Sequence, residues 1–112
     1  MKAENARILI VEDDAAVCTS LKLLLKRAGF QAMSIQRPQE LEAALQEQEP
    51  DLVLLDMNFA IETSGRQGLR LLQQLLNWKP ALPVILMTAW ATVQLAVEGM
   101  KLGAKDFVAK PW

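Results

Sequence analysis

The 112-residue sequence contains no histidine. That absence removes the imidazole general base, the commonest metal-ligand side chain and any phosphohistidine on the chain itself. A single cysteine, Cys18, permits neither an intrachain disulfide nor a Cys-X-X-Cys centre, which suits a reducing compartment. Long apolar runs are missing too. Ile8–Val11 and Leu52–Leu55 fall far short of the ~20 residues that a membrane helix needs. The opening residues, Met1-Lys2-Ala3-Glu4-Asn5, are polar and lack the apolar stretch of about 7–15 residues that marks a secretory signal. Charge of one sign is not in excess either: 12 Lys+Arg against 13 Asp+Glu leave a net charge of −1. Direct nucleic-acid contact by this domain therefore has no electrostatic basis. Together these absences predict a cytoplasmic domain that touches neither membrane nor nucleic acid.

What is present fits one folded domain with a single core: 52% of residues are apolar and 22% charged. Short apolar runs alternate with helical patterns. Ile8–Val11 is continuously apolar, as a strand covered on both faces should be. Val17, Leu21, Leu24, Leu25 and Ala28 follow with helical spacing, and Gly29 stops them. Phe30–Ile35 predicts a second strand, and Pro38 opens a helix carrying Leu41, Ala44 and Leu45. Leu52–Leu55 is a third strand, followed by a polar stretch from Asn58 to Gly68 and a helix through Leu69, Leu72 and Leu76. Pro83–Met87 is a fourth strand. Val93, Val97 and Met100 line a fourth helix ended by Gly103, and Asp106–Ala109 is a fifth strand.

Five strands alternating with four helices predict an α/β fold, a doubly wound parallel sheet of order 2-1-3-4-5. In that order strands one and three are neighbours, and ligands bind at the carboxyl ends of the strands. Those ends carry Glu12-Asp13-Asp14, Asp56, Thr88 and Lys110. Converging carboxylates need a cation, and an oxygen-only donor set favours Mg²⁺ or Mn²⁺. Lys110 adds a point charge suited to phosphate and Thr88 a hydroxyl, so the rim reads as a phosphoryl-transfer site. Taken singly, each residue has a plainer role. Asp14 reads as the cap of the first helix, Thr88 as another cap, Asp56 as a turn residue, Glu12 and Asp13 as loop acids, and Lys110 as a surface lysine. The joint pattern on four strand ends is what points to chemistry.

Val11-Glu12-Asp13-Asp14, Leu54-Leu55-Asp56-Met57, Met87-Thr88-Ala89 and the run from Gly103 to Pro111 resemble the receiver domain of bacterial two-component response regulators. The likeness follows the family's order over nearly the whole chain. Met87–Trp90 with Ala96–Gly103 is most similar to the nitrogen-regulator class, whose receivers precede an ATPase domain that activates sigma-54 RNA polymerase. The resemblance implies a flavodoxin-like fold with Asp56 taking a phosphoryl group from a sensor histidine kinase. It implies Asp13 and Asp56 as direct Mg²⁺ (or Mn²⁺) ligands, the carbonyl of Asn58 as a third, and Glu12 acting through a water. Lys110, the Thr88 hydroxyl and the Ala89 N–H are implied to hold the phosphoryl oxygens, and Pro111 to follow a cis peptide bond. Thr88 and Phe107 become the switch pair, although Phe107 reads equally as plain core.

Two departures stand out. The segment from Asn58 to Gly68 is longer than the family's usual loop, with Ala60 where proline is common. Receivers also end in a fifth helix after the Lys-Pro turn, whereas this sequence ends at Trp112. The expectation is an N-terminal receiver fragment, residues 1–112, with the fifth helix missing, a bare first-helix face and a tendency to form a homodimer. ATPase and DNA-binding domains are expected downstream in the longer protein. Rival readings are a phosphorylation-independent interaction module of the same fold and a Mg²⁺-dependent phosphatase with an aspartyl nucleophile. That phosphatase class carries a second aspartate two residues after the nucleophile, where this chain has Asn58. As a switch, the domain is expected to act on nothing beyond its own phosphorylation and dephosphorylation.

Overall fold

In a computed structural model, residues 5–57, 66–88 and 93–110 are described. The chain order is β1 (Arg7–Val11), α1 (Ala15–Arg27), β2 (Gln31–Ile35), a 3₁₀ turn (Pro38–Glu40), α2 (Leu41–Gln48), β3 (Leu52–Asp56), α3 (Arg66–Trp78), β4 (Val84–Thr88), α4 (Val93–Leu102) and β5 (Asp106–Ala109). The strands form one five-stranded parallel sheet of order β2-β1-β3-β4-β5, as the alternation predicts. Four α-helices lie among the described residues, and none is long and apolar enough to cross a membrane.

The chain divides into two compact units, Met1–Val53 and Leu54–Trp112. In the first, β1 pairs with β2 in a register running from Arg7↔Gln31 to Val11↔Ile35. Ile8 to Val11 are all buried, which explains why this strand is apolar without alternation. Helix α1 packs on β2. Asp14 caps it: its Oδ1 accepts from the backbone N–H groups of Ala16 at 2.8 Å and Val17 at 3.3 Å. Gly29 ends it at φ 94°, a left-handed turn that lets the Phe30 N–H reach the Leu25 carbonyl at 3.0 Å. Leu41, Ala44 and Leu45 of α2 are buried, as their spacing predicts.

In the second unit β4 and β5 pair from Ile85↔Asp106 to Thr88↔Ala109, and α4 lies against both strands and beside α3. Leu55, Leu71, Leu72, Leu75, Val84, Leu86, Met87 and Ala96 make its core.

The inward faces of two helices differ from those the large apolar residues predict. Helix α1 buries Cys18 and Leu21 and leaves Leu24 50% exposed. Helix α4 buries Ala96 and Gly99 and leaves Val97 and Met100 45% and 36% exposed. Close approach is the reason in α4, because a Cβ at Gly99 would stand 2.4 Å from Leu86 Cδ1. Small residues face the sheet, and larger ones are turned outward.

Candidate functional site

The first unit supplies a short acidic turn. Glu12 directly follows β1, and its N–H donates to the Ile35 carbonyl at 3.1 Å, extending the pairing with β2 by one residue. Its side chain is buried, and the Asp14 N–H donates to Glu12 Oε2 at 3.3 Å. Asp13 is half-buried and Asp14 exposed, so three consecutive acids occupy three environments. The turn's carbonyls are held by side chains: Cys18 Sγ donates to Glu12 O at 3.4 Å and Gln36 Nε2 to Asp13 O at 3.1 Å. Neither Cys18 nor Gln36 was marked by residue type, because each acts on backbone brought close only by folding. Burial pushes the Cys18 thiol pKa up from its ordinary 9.0, while a hydrogen bond with the Ser34 side chain pulls the other way.

The second unit supplies a carboxylate, a lysine and a hydroxyl. Asp56 is the last residue of β3 and is 1% exposed. Lys110 Nζ donates to Asp56 Oδ1 at 3.1 Å, and the Lys110 side chain keeps 23% exposure at its end of the site. Its backbone is fixed, since the Lys110 N–H donates to the Thr88 carbonyl at 2.8 Å. On the other side, the Met57 N–H donates to Met87 O at 2.9 Å. Gly68 lets α3 approach that backbone, as a Cβ there would lie 2.9 Å from Met57 Cα. The residue after Asp56 is thus held by a strand and a helix at once. Thr88 is fully buried, and its Oγ1 has no hydrogen-bond partner among the described residues. Phe107 is half-buried in β5, in register with Leu86. Asn58, Ala89 and Pro111 lie outside the described residues, as do Trp90, Trp112 and most of the polar stretch before Gly68.

Among the described residues, one group of three acidic side chains could hold a metal ion: Glu12, Asp13 and Asp56. An all-carboxylate set without histidine or cysteine suits a hard cation of the Mg²⁺ or Mn²⁺ type. Chemically, the ends of β3, β4 and β5 bring a carboxylate, a hydroxyl and an ammonium to adjacent strands of one sheet. Those are the groups that phosphoryl transfer to a carboxylate requires.

Residues 8–112 match the family model of the response regulator receiver domain. The chain is 36% identical over 111 residues to the transcriptional regulatory protein ZraR of Escherichia coli, covering 99% of this chain and 24% of that protein. It is 35% identical over 105 residues to the DNA-binding transcriptional regulator NtrC of Salmonella typhimurium, covering 94% of this chain and 22% of that protein. The chain therefore spans about a quarter of these relatives' length. The crystal structure of the N-terminal signal receiver domain of a two-component response regulator from Bacteroides fragilis superposes with a TM-score of 0.86. It is 40% identical, with 97% of this chain and 87% of that one covered.

Proposed function

This chain belongs to the response regulator receiver domains of two-component systems, and from that membership we propose that Asp56 accepts a phosphoryl group from a sensor histidine kinase. An Asp56 carboxylate oxygen attacks the phosphorus of the kinase's phosphohistidine. A P–O bond forms, the P–N bond breaks, and the imidazole leaves with the electron pair and regains a proton. A divalent cation, when bound, supplies neutralisation of the negative charge on the transferring group. Asp13 and Asp56 would hold it directly and Glu12 through a water, with the Asn58 carbonyl as the further ligand that the family pattern implies. The Lys110 ammonium, 3.1 Å from Asp56 Oδ1, turns to a phosphoryl oxygen, and the Ala89 N–H binds another.

The observation that carries this reading is the Thr88 hydroxyl, buried and without a partner among the described residues. A buried unsatisfied hydroxyl costs about 1–3 kcal/mol, and a phosphoryl oxygen on the adjacent strand end removes that cost. Phosphorylation adds about −1.5 to −2 charges at Asp56. The Thr88 side chain moves toward them, and Phe107 rotates into the space it leaves. The face of α4 and β5 then changes packing, with a coupling of about 1–3 kcal/mol between phosphorylation and partner binding.

The domain extends over residues 1–112 and works as the receiver of a longer cytoplasmic regulator. ATPase and DNA-binding domains follow it, and its output is sigma-54-dependent transcription through a homodimer. Kinship with ZraR and NtrC supports that assignment. Its own chemistry is limited to phosphorylating and dephosphorylating itself. Intact mass after treatment with acetyl phosphate and Mg²⁺ tests the reading. One metal-dependent phosphoryl adduct is expected in the native chain and none in D56N; an adduct that persists in D56N overturns Asp56 as acceptor.

A further inference from the structure

The turn Glu12-Asp13-Asp14 faces a local electrostatic problem, because three adjacent carboxylates repel and the backbone beneath them tends to splay. Side chains from two other elements reach that backbone. Cys18, one turn into α1 and 4% exposed, donates its thiol proton to Glu12 O at 3.4 Å. Gln36, just past β2, donates its amide to Asp13 O at 3.1 Å. The Glu12 N–H is tied to Ile35 O at 3.1 Å, so the backbone of the turn is fixed before and after Glu12 and again after Asp13. The Asp14 carboxylate is turned away to cap α1, which separates it from the other two.

We propose that Cys18 and Gln36 are positioning residues, which hold two consecutive carbonyls so that the Glu12 and Asp13 carboxylates are pre-arranged for a divalent cation. This rests on the reading of the acidic turn as half of a Mg²⁺ site. Neither residue touches the cation, and each acts through the backbone of a ligand residue. A net hydrogen bond of the usual strength corresponds to roughly a twofold to tenfold change in affinity. The thiol, a weak donor, falls at the lower end of that range.

Mn²⁺ titration followed by the free-ion paramagnetic resonance signal tests the proposal, with thermal melts in chelator run alongside on every variant. C18V keeps an apolar side chain without a donor, whereas C18S keeps a donor. Q36A alters an exposed side chain and leaves the core alone. C18V and Q36A should each weaken Mn²⁺ binding by roughly twofold to tenfold, their combination should weaken it further, and C18S should bind within about twofold of the native chain. Native-like affinity in folded Q36A and C18V overturns the proposal while leaving the metal site intact. Weakening in C18S as large as in C18V assigns the Cys18 effect to packing and overturns that half. Should C18V fail to fold, Q36A decides alone. A native chain that binds no Mn²⁺, or binds it equally well as D13N, overturns the underlying metal reading instead.

Discussion

Replacing Gly99 by alanine sets two opposed effects against each other, and their sizes follow from the geometry of α4. In a helix interior alanine is favoured over glycine by about 1 kcal/mol. At this position the new Cβ would stand 2.4 Å from Leu86 Cδ1 and 3.4 Å from Leu72 Cδ2. Both leucines are fully buried. The Leu86 methyl must therefore retreat by about 1 Å or more to reach ordinary contact at ~3.5–4.0 Å, in an interior packed as densely as a crystal. Such overpacking costs about 1–3 kcal/mol, so the steric effect wins and G99A loses about 1 kcal/mol net. Equilibrium urea unfolding reads this as a lower midpoint with unchanged slope. Valine at position 86 lacks the offending δ carbon. In the L86V background G99A should accordingly become stabilising by close to the propensity gain of ~1 kcal/mol. A gain of that size in both backgrounds would refute the close approach of α4 to β4.

Two further substitutions probe the site and its frame. T88V replaces a buried hydroxyl without a partner among the described residues by a methyl of the same shape and should raise stability by up to about 1–3 kcal/mol in denaturant melts. It should also abolish any difference in self-association between the phosphorylated and unphosphorylated domain. Loss of stability in T88V would mean that the hydroxyl has a partner. Glu49 ends α2 in the left-handed region at φ 46°, so E49G should raise the unfolding midpoint by an amount worth about 0.5–1 kcal/mol, and an unchanged midpoint would count against backbone strain there.

The sheet and its rim could be read from residue types because buried parallel strands leave a strong mark. Ile8–Val11 has no polar member, and the acids and the lysine stand where the apolar runs stop. The cap at Asp14 was legible for the same kind of reason, since a short acid before a helical pattern has few other uses. Helix faces were less legible. Spacing of large apolar residues selects Leu24, Val97 and Met100 as inward, yet Cys18, Ala96 and Gly99 are the buried ones, in α4 because the helix comes close to the sheet at Gly99. A pattern weighted by side-chain size points to the wrong side of a closely packed helix. Gln36 was invisible for a different reason. It donates to a backbone carbonyl 23 positions earlier in the chain, and residue type says nothing about carbonyls.

The register of the sheet also bears on how the chain reaches its native state. Arg7 meets Gln31 and Ile85 meets Asp106 only after an entire helix has intervened, and among the described residues no two strands are joined by a tight turn. Strand pairing therefore cannot nucleate locally. Each ladder waits for a crossover to close, and loop-closure entropy is lost before any pairing free energy is gained. Helix α1, with its cap at Asp14 close in sequence, can form transiently beforehand and shorten that search. Newly made chains should expose Ile8–Val11 to solvent until its neighbours in the sheet, β2 and β3, have been synthesised, so this first strand needs shelter during translation.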